Sequence, residues 1–416
     1  MASAKTHLLP LTGIRFFLAL WVVVFHQRFF TGYAWLTPLP GAAQSLVRTG
    51  YLAVGMFFML SGLVLSYNYS LDEAWAGRQW KKFLVARLAR VYPAYALALL
   101  LSVPWVVMTV YQHRSLGALL KESARTVLAW GLMQAWIPAA AEAWNRPGWS
   151  LSVEAFFYCC FPLIGVALWK MKRPWALGCV FAGLWIVSLA APAVAWGLHL
   201  NDAAGGPASL WNADSTGGWV SFIKFEPLFH LPEFCAGIVI GRVYQGLRRG
   251  NSPLIGRGYW LYLPGIVCEV AAIAKWQPIL YTFLHNGLLL PLHAVVILGL
   301  ALGGGTVARI LSSGSMVLLG NASYSVYIFQ SPVASWVALI AKWVFSRKVS
   351  GIGITAIYVV VLVGFSVAMF KLLEERANGF LKKWLTSPSG NSRERVSCED
   401  KFRERSSVTS PLFEEV

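Results

Sequence analysis

The stretch Leu11-Thr-Gly-Ile-Arg15-Phe-Phe-Leu-Ala-Leu-Trp-Val-Val-Val-Phe-His26 decides how the chain is read. It is apolar enough to begin a membrane span, yet an arginine sits inside it and a histidine follows eleven positions later. A guanidinium at that depth costs at least about 2.5 kcal/mol, so something must use it. Eleven residues at about 100° each make three turns plus roughly 20°. Arg15 and His26 therefore share one helix face, roughly 16 Å apart along the axis. That face belongs against protein. An always-charged group near one end and a titratable base near the other read as a reaction path across half a membrane.

Composition agrees with a membrane protein. The chain has 416 residues, 57% of them hydrophobic and only 13% charged, where soluble domains carry about 25% charged residues. Twenty Trp and 15 Tyr suit a protein with two water–lipid interfaces to line. The net charge of +17 could suggest nucleic acid, but so apolar a sequence argues against it. Cys159, Cys160, Cys179, Cys235, Cys268 and Cys398 are scattered, without CxxC or metal-like spacing, and read as small core residues. Lys5 before an apolar run resembles a signal peptide. Arg15 interrupts that run and no small-residue cleavage site follows, so the segment reads as an uncleaved first span.

Ten stretches are long enough to cross a hydrocarbon core of about 30 Å: 9–30, 51–68, 91–111, 149–169, 175–197, 227–245, 259–275, 279–301, 316–341 and 352–374. The expected fold is all-α, a polytopic bundle of about ten transmembrane helices. Thr126–Ile137 is apolar but short and reads as re-entrant or interfacial. With the N-terminus in the cytoplasm, Lys5, Arg15, the basic run Arg78–Arg90, Lys170–Arg173, Arg242–Arg257, Arg309 and the basic C-terminal stretch fall on one side, as the positive-inside rule asks. Ten spans put both termini there. Residues 198–226 read as a polar outer loop and 386–416 as a disordered cytoplasmic tail, leaving 1–385 as the transmembrane domain. No internal repeat is visible.

Depth then follows from direction. Span 1 carries His26 into the outer half, and span 4 brings Glu154 in from outside, within Gly148-Trp149-Ser150-Leu-Ser-Val-Glu154. A carboxylate beside an imidazole would orient it and raise its basicity, as a general base needs; the bland reading is two unrelated interfacial polar groups. Arg87 and Arg90, at i and i+3, share a face at the cytoplasmic mouth. They could clamp a phosphate or simply anchor the topology and touch anionic lipid. Ser61, in Phe57-Phe58-Met-Leu-Ser61-Gly62, is either helix packing or a mid-depth hydrogen-bond donor. Glu233 in span 6 is a carboxylate in the outer half, near enough to the surface to be functional or merely solvated. His285, Asn286 and His293 read as satisfied polar groups of a bundle. His7, His113 and His199 read as solvent or interface residues.

Taken in order, these residues resemble the acyltransferase-3 family of membrane acyltransferases, over essentially the whole chain to about residue 380. Arg15 and His26 match its R-X10-H motif. Phe57, Phe58, Ser61 and Gly62 match its aromatic–Ser-Gly motif, and Arg87 and Arg90 its R-x-x-R. Trp149, Ser150, Leu151, Glu154, Phe157 and Tyr158 match a further segment, as do Pro232, Phe234 and Gly237. The resemblance implies transfer of an acyl group, usually acetyl from acetyl-CoA, to a hydroxyl of a glycan or small molecule. It places Arg87 and Arg90 near CoA, and Arg15, His26 and Glu154 in the catalytic path. Many family members carry a histidine where this chain has Gln330. Glutamine cannot take a proton at neutral pH, so no essential base is expected there.

The expected function is thus an O-acyltransferase of a bacterial inner membrane, using acyl-CoA as co-substrate and no tightly bound cofactor or metal. Its acceptor would be a glycan, exopolysaccharide or lipid-linked sugar. His26 would deprotonate the acceptor hydroxyl or carry the acyl group. Ser61, Trp149, Ser150, Glu233 and Gln330 would line the substrate path. Partners are membrane lipids and the two substrates, with no nucleic acid. The rival reading is a transporter or flippase whose Arg, His and Glu relay protons; acceptor-dependent CoA release separates the two.

Overall fold

The computed structural model describes residues 8–27, 30, 34–69, 73–112, 115–171, 173–200, 218–275, 281–345 and 351–376. The expected tail, most of the expected outer loop, and Lys5, His7, His113 and Cys398 lie outside the described residues. Every regular element among the described residues is a helix. In chain order they are α1 (Leu9–His26), α2 (Gly41–Arg48), α3 (Leu52–Asn68), α4 (Glu73–Gln112), α5 (Leu116–Trp130), α6 (Gly148–Trp169), α7 (Pro174–Gly197) and α8 (Gly218–Phe225). They continue as α9 (Pro227–Arg249), α10 (Tyr259–Lys275), α11 (Tyr281–His285), α12 (Leu290–Leu302), α13 (Gly305–Leu311), α14 (Gly314–Asn321), α15 (Ser323–Phe345) and α16 (Ile352–Met369), which ends in a π-turn, Phe370–Glu374.

Seven helical segments are long and apolar enough to cross a membrane, eight if α2 and α3, bent by 52°, form one span. The expected ten is not reached among the described residues. The α10 helix, with 17 residues, is short for a crossing. The α9 helix has the length, but His230, Glu233 and the arginines near its end dilute its apolar character. Other boundaries differ for local reasons. The span expected at 316–341 breaks at Ala322 between α14 and α15. The third begins much earlier than 91, because α4 runs straight through the basic segment and carries Arg87 and Arg90 as helical residues. Thr126–Ile137 is the end of the amphipathic α5 followed by a 3₁₀ turn, Gln134–Trp136. Buried Gln134 fastens this segment to the start of α6, its amide donating to the Gly148 carbonyl at 2.8 Å and to the Tyr95 hydroxyl at 3.0 Å.

The centre of the bundle is α3, buried along most of its length and packed most closely on α9. Small residues make that approach possible. A Cβ at Gly62 would run into the Phe234 carbonyl, and one at Gly237 into the Met59 carbonyl. Gly13 and Gly320 do the same for α1 against α13 and α14. Of the cysteines, Cys235 is buried, but Cys159, Cys179 and Cys268 are exposed. Those three face outward from their helices and are not the core residues expected.

Candidate active site

A cavity of about 130 Å³ opens where α1, α3, α4, α6 and α15 meet. Its polar lining includes Arg15, Ser61, Arg87, Arg90, Ser150, Glu154, Tyr158, Tyr324 and Tyr327, with Phe57 and Phe58 among the apolar walls. Three guanidinium groups thus share one cavity with a single carboxylate. That carboxylate is held by two hydroxyls. Ser61 Oγ donates to Glu154 Oε1 at 3.0 Å, and Tyr158, one helical turn below, donates at 2.6 Å. Arg87 is braced from behind: its Nη2 donates to the Tyr69 hydroxyl at 2.8 Å, and its guanidinium lies 5.2 Å from the Tyr69 ring and 5.6 Å from that of Phe83. Neither Arg15 nor Arg90 has a hydrogen-bond or ion-pair partner among the described residues. Half-buried cations without partners facing a cavity are a strong invitation to an anion. Glu154 lies within electrostatic reach of Arg15.

His26 stands at the other end of α1, outside this lining. Its Nδ1 is 2.8 Å from Gln330 Oε1. The sequence reading set Glu154 beside the imidazole; in the structure that place belongs to Gln330 of α15, while Glu154 stays with Ser61 and Tyr158. The two sites are joined through Tyr327. Its hydroxyl pairs with Ser150 Oγ at 2.8 Å on the cavity wall, and its carbonyl accepts from Gln330 Nε2 at 2.7 Å.

A second polar cluster surrounds Trp149 and Glu233, also outside the lining. His230 Nε2 lies 2.9 Å from the Lys224 carbonyl, which can only accept, so Nε2 carries a hydrogen. His230 Nδ1 lies 3.2 Å from Glu233 Oε2. The proton between them belongs to one or the other, giving an imidazolium–carboxylate pair or a neutral one. The other Glu233 oxygen rests on Gly55 so closely that a Cβ there would stand 2.7 Å from it. The Trp149 ring packs against His230 (5.4 Å), His285 (5.9 Å) and Phe58 (6.3 Å), so Phe58 forms the wall between the cavity and this cluster.

Sequence reasoning took His285 and Asn286 for satisfied bundle residues. His285 Nδ1, Asn286 Oδ1 and Thr282 Oγ1 are instead buried without a hydrogen-bond partner among the described residues. His293 lies 3.1 Å from Glu269, and His199 is exposed. Sequence reasoning also passed over Tyr69, Tyr324, Tyr327 and His230. The i, i+3 spacings Tyr327–Gln330 and His230–Glu233 were the available signals for two of them. Among the described residues no group of His, Cys, Asp and Glu could hold a metal ion.

The family model Acyl_transf_3, described as an acyltransferase domain, matches residues 10–371. Acyltransferase MdmB of Streptomyces mycarofaciens is 28% identical over 288 residues, covering 66% of this chain. The chain in turn spans 64% of that relative's length. No solved structure matches the chain.

Proposed function

The chain belongs to the acyltransferase-3 family, and from that premise we propose an integral-membrane O-acyltransferase that moves an acyl group, acetyl in the simplest case, from acyl-CoA to a hydroxyl of a glycan or lipid-linked sugar. One observation carries the reading: Arg15, Arg87 and Arg90 converge on a single cavity, and Arg15 and Arg90 have no hydrogen-bond or ion-pair partner among the described residues. The phosphates of CoA are the anions that such a cluster suits, and a guanidinium binds them through its two-pronged fork. The thioester end of the donor would extend along the cavity, past Glu154, toward Tyr327.

The transfer itself needs a base. His26 Nε2 takes the proton from the acceptor hydroxyl as the oxygen attacks the thioester carbonyl. Arg15, roughly 16 Å back along α1, holds the donor together with Arg87 and Arg90. The carbon–sulfur bond then breaks, and the CoA thiolate leaves and regains a proton from the imidazolium. Glu154 keeps Arg15 from being an uncompensated charge before donor arrives. We assign the acceptor side to the buried cluster of Trp149, His230, Glu233 and His285, whose rings and polar edges are a combination suited to a sugar. Ser61, Ser150 and Gln330 line or brace the route between the two ends.

The bias of Lys and Arg in the sequence supports a cytoplasmic N-terminus and donor mouth, in a bacterial inner membrane. The acceptor would then be modified in the outer half. Membranes containing the protein should release CoA from acetyl-CoA faster when candidate glycan acceptors are added, with acetyl ester appearing on the glycan. Acceptor-independent CoA release with no ester formed, across a panel of saccharides and lipid-linked sugars, would contradict the assignment.

A further inference from the structure

We infer that Gln330 is the positioning residue of His26: it fixes the imidazole tautomer so that the basic lone pair lies on Nε2. The inference rests on the proposed role of His26 as general base and adds to it the group that makes it one.

The argument is one of donors and acceptors. Gln330 is fully buried, so its amide orientation is set by protein groups. One end of that amide lies 2.7 Å from the Tyr327 carbonyl, which can only accept; the NH2 must therefore be there. The other end is then an oxygen, and it meets His26 Nδ1 at 2.8 Å. An amide oxygen offers no hydrogen, so Nδ1 must carry it. In the neutral ring the lone pair is left on Nε2. Reversing the amide would set oxygen against the Tyr327 carbonyl and NH2 against Nδ1, converting one good bond into a repulsion.

The surroundings hold Gln330 in place. Pro332 cannot donate to the Ile328 carbonyl one turn back, and the buried Asn145 amide takes that carbonyl at 2.9 Å. The Tyr358 hydroxyl of α16 donates to the Gln330 carbonyl at 2.9 Å. Both ties fix the backbone on either side of the side chain that faces His26.

A neutral partner also differs from a carboxylate. It sets the tautomer without adding negative charge beside the ring. The ionisable side chains on the helices packed against α1 are Arg48 (α2), Tyr67 (α3), His293 (α12), Arg309 (α13) and Tyr324, Tyr327 and Lys342 (α15); Arg15 lies on α1 itself, and Tyr51 packs against Phe25. None of these helices carries Asp or Glu. A carboxylate at position 330 would be the first on any of them.

The experiment compares wild type with His26→Ala, Gln330→Leu and Gln330→Glu in membranes, measuring kcat, donor KM and the pH–rate profile at matched protein levels. Gln330→Leu removes the acceptor that Gln330 gives Nδ1, so kcat should fall at least about tenfold with donor KM unchanged. Gln330→Glu puts a charge beside the ring and favours its protonated form. Its acid limb should move to higher pH by on the order of one unit. Wild-type kcat in Gln330→Leu, or an unmoved acid limb in Gln330→Glu, overturns the inference. Should Gln330→Leu fail to fold, the pH profile of Gln330→Glu decides alone; should Gln330→Glu fail, the kcat of Gln330→Leu does. An active His26→Ala would instead remove the base assignment itself, so the two failures are told apart.

Discussion

Replacing Tyr69 by Phe removes one oxygen from the donor side of the cavity and tests how the arginine pair works. Arg87 donates to that oxygen at 2.8 Å while its guanidinium lies over the Tyr69 and Phe83 rings. Phenylalanine keeps the ring, so the cation–π contact survives and only the hydrogen bond is lost. A bond with one charged partner contributes about 1.5 kcal/mol or more when both groups are buried. Arg87 is only part-buried, so about 1–1.5 kcal/mol is the reasonable share. That loss falls on holding the fork in place for a phosphate, which is equal in ground and transition states. It should raise the KM for acetyl-CoA about five- to twelvefold and leave kcat unchanged. The assay is thiol detection of released CoA over a donor titration, at saturating acceptor. Arg87→Lys in parallel keeps the charge and loses the fork. A donor KM within twofold of wild type for Tyr69→Phe, alongside a raised KM for Arg87→Lys, refutes the bracing argument. Unchanged KM for both returns the arginines to the role of topology anchors.

His26→Ala should insert and fold but lose acyl transfer by about 10²–10⁴-fold, the usual contribution of a general base; turnover near wild type removes the assignment. Gly62→Val should lower the thermal unfolding midpoint in detergent, because its Cβ would meet the Phe234 carbonyl and such overpacking costs about 1–3 kcal/mol; Gly178→Ala, where nothing stands nearby, is the control that should not. Glu233→Gln keeps the shape but breaks the proton shared with His230, so acceptor KM should rise while donor KM holds; a change in donor KM alone would take Glu233 off the acceptor side. In sealed vesicles of known orientation, CoA should be released on the cytoplasmic face and esterified acceptor should appear on the other. Product confined to the cytoplasmic face overturns that geometry and leaves the chemistry standing.

What could be read from the chain and what could not divides along a physical line. A helix and its faces are properties of one segment, and periodicity reports them: α1 is where the apolar run puts it, and Arg87 and Arg90 are on one helix as their spacing asks. The helical bundle itself follows from composition, because a chain this apolar has few other ways to satisfy its backbone in lipid. Which side chains meet across helices is a property of pairs of segments, and a single sequence holds no record of it. Hence depth alone suggested Glu154 for His26, when the two differ in the helix they face. Glu154 turns to Ser61 across the α3–α6 contact, and His26 meets a residue 304 positions away. The count of spans by apolar length, seven or eight among the described residues against the ten expected, leaves out α9. In α9, His230 and Glu233 lower the apolar signal, yet both are buried because they satisfy each other.

The same distinction explains why a glutamine can stand in the site without weakening it. What the proposed reaction asks of position 330 is a hydrogen-bond acceptor of fixed direction, since His26 is the proposed proton-accepting group. Direction is set by Tyr327, Asn145 and Tyr358. The donor arginines are handled alike, with Tyr69 holding Arg87 and hydroxyls holding Glu154 near Arg15. Arg87 and Glu154 are thus held by neutral hydroxyls, and three guanidinium groups share the cavity with one carboxylate. A carboxylate in place of Tyr69 would cancel the Arg87 guanidinium proposed to meet the donor phosphates.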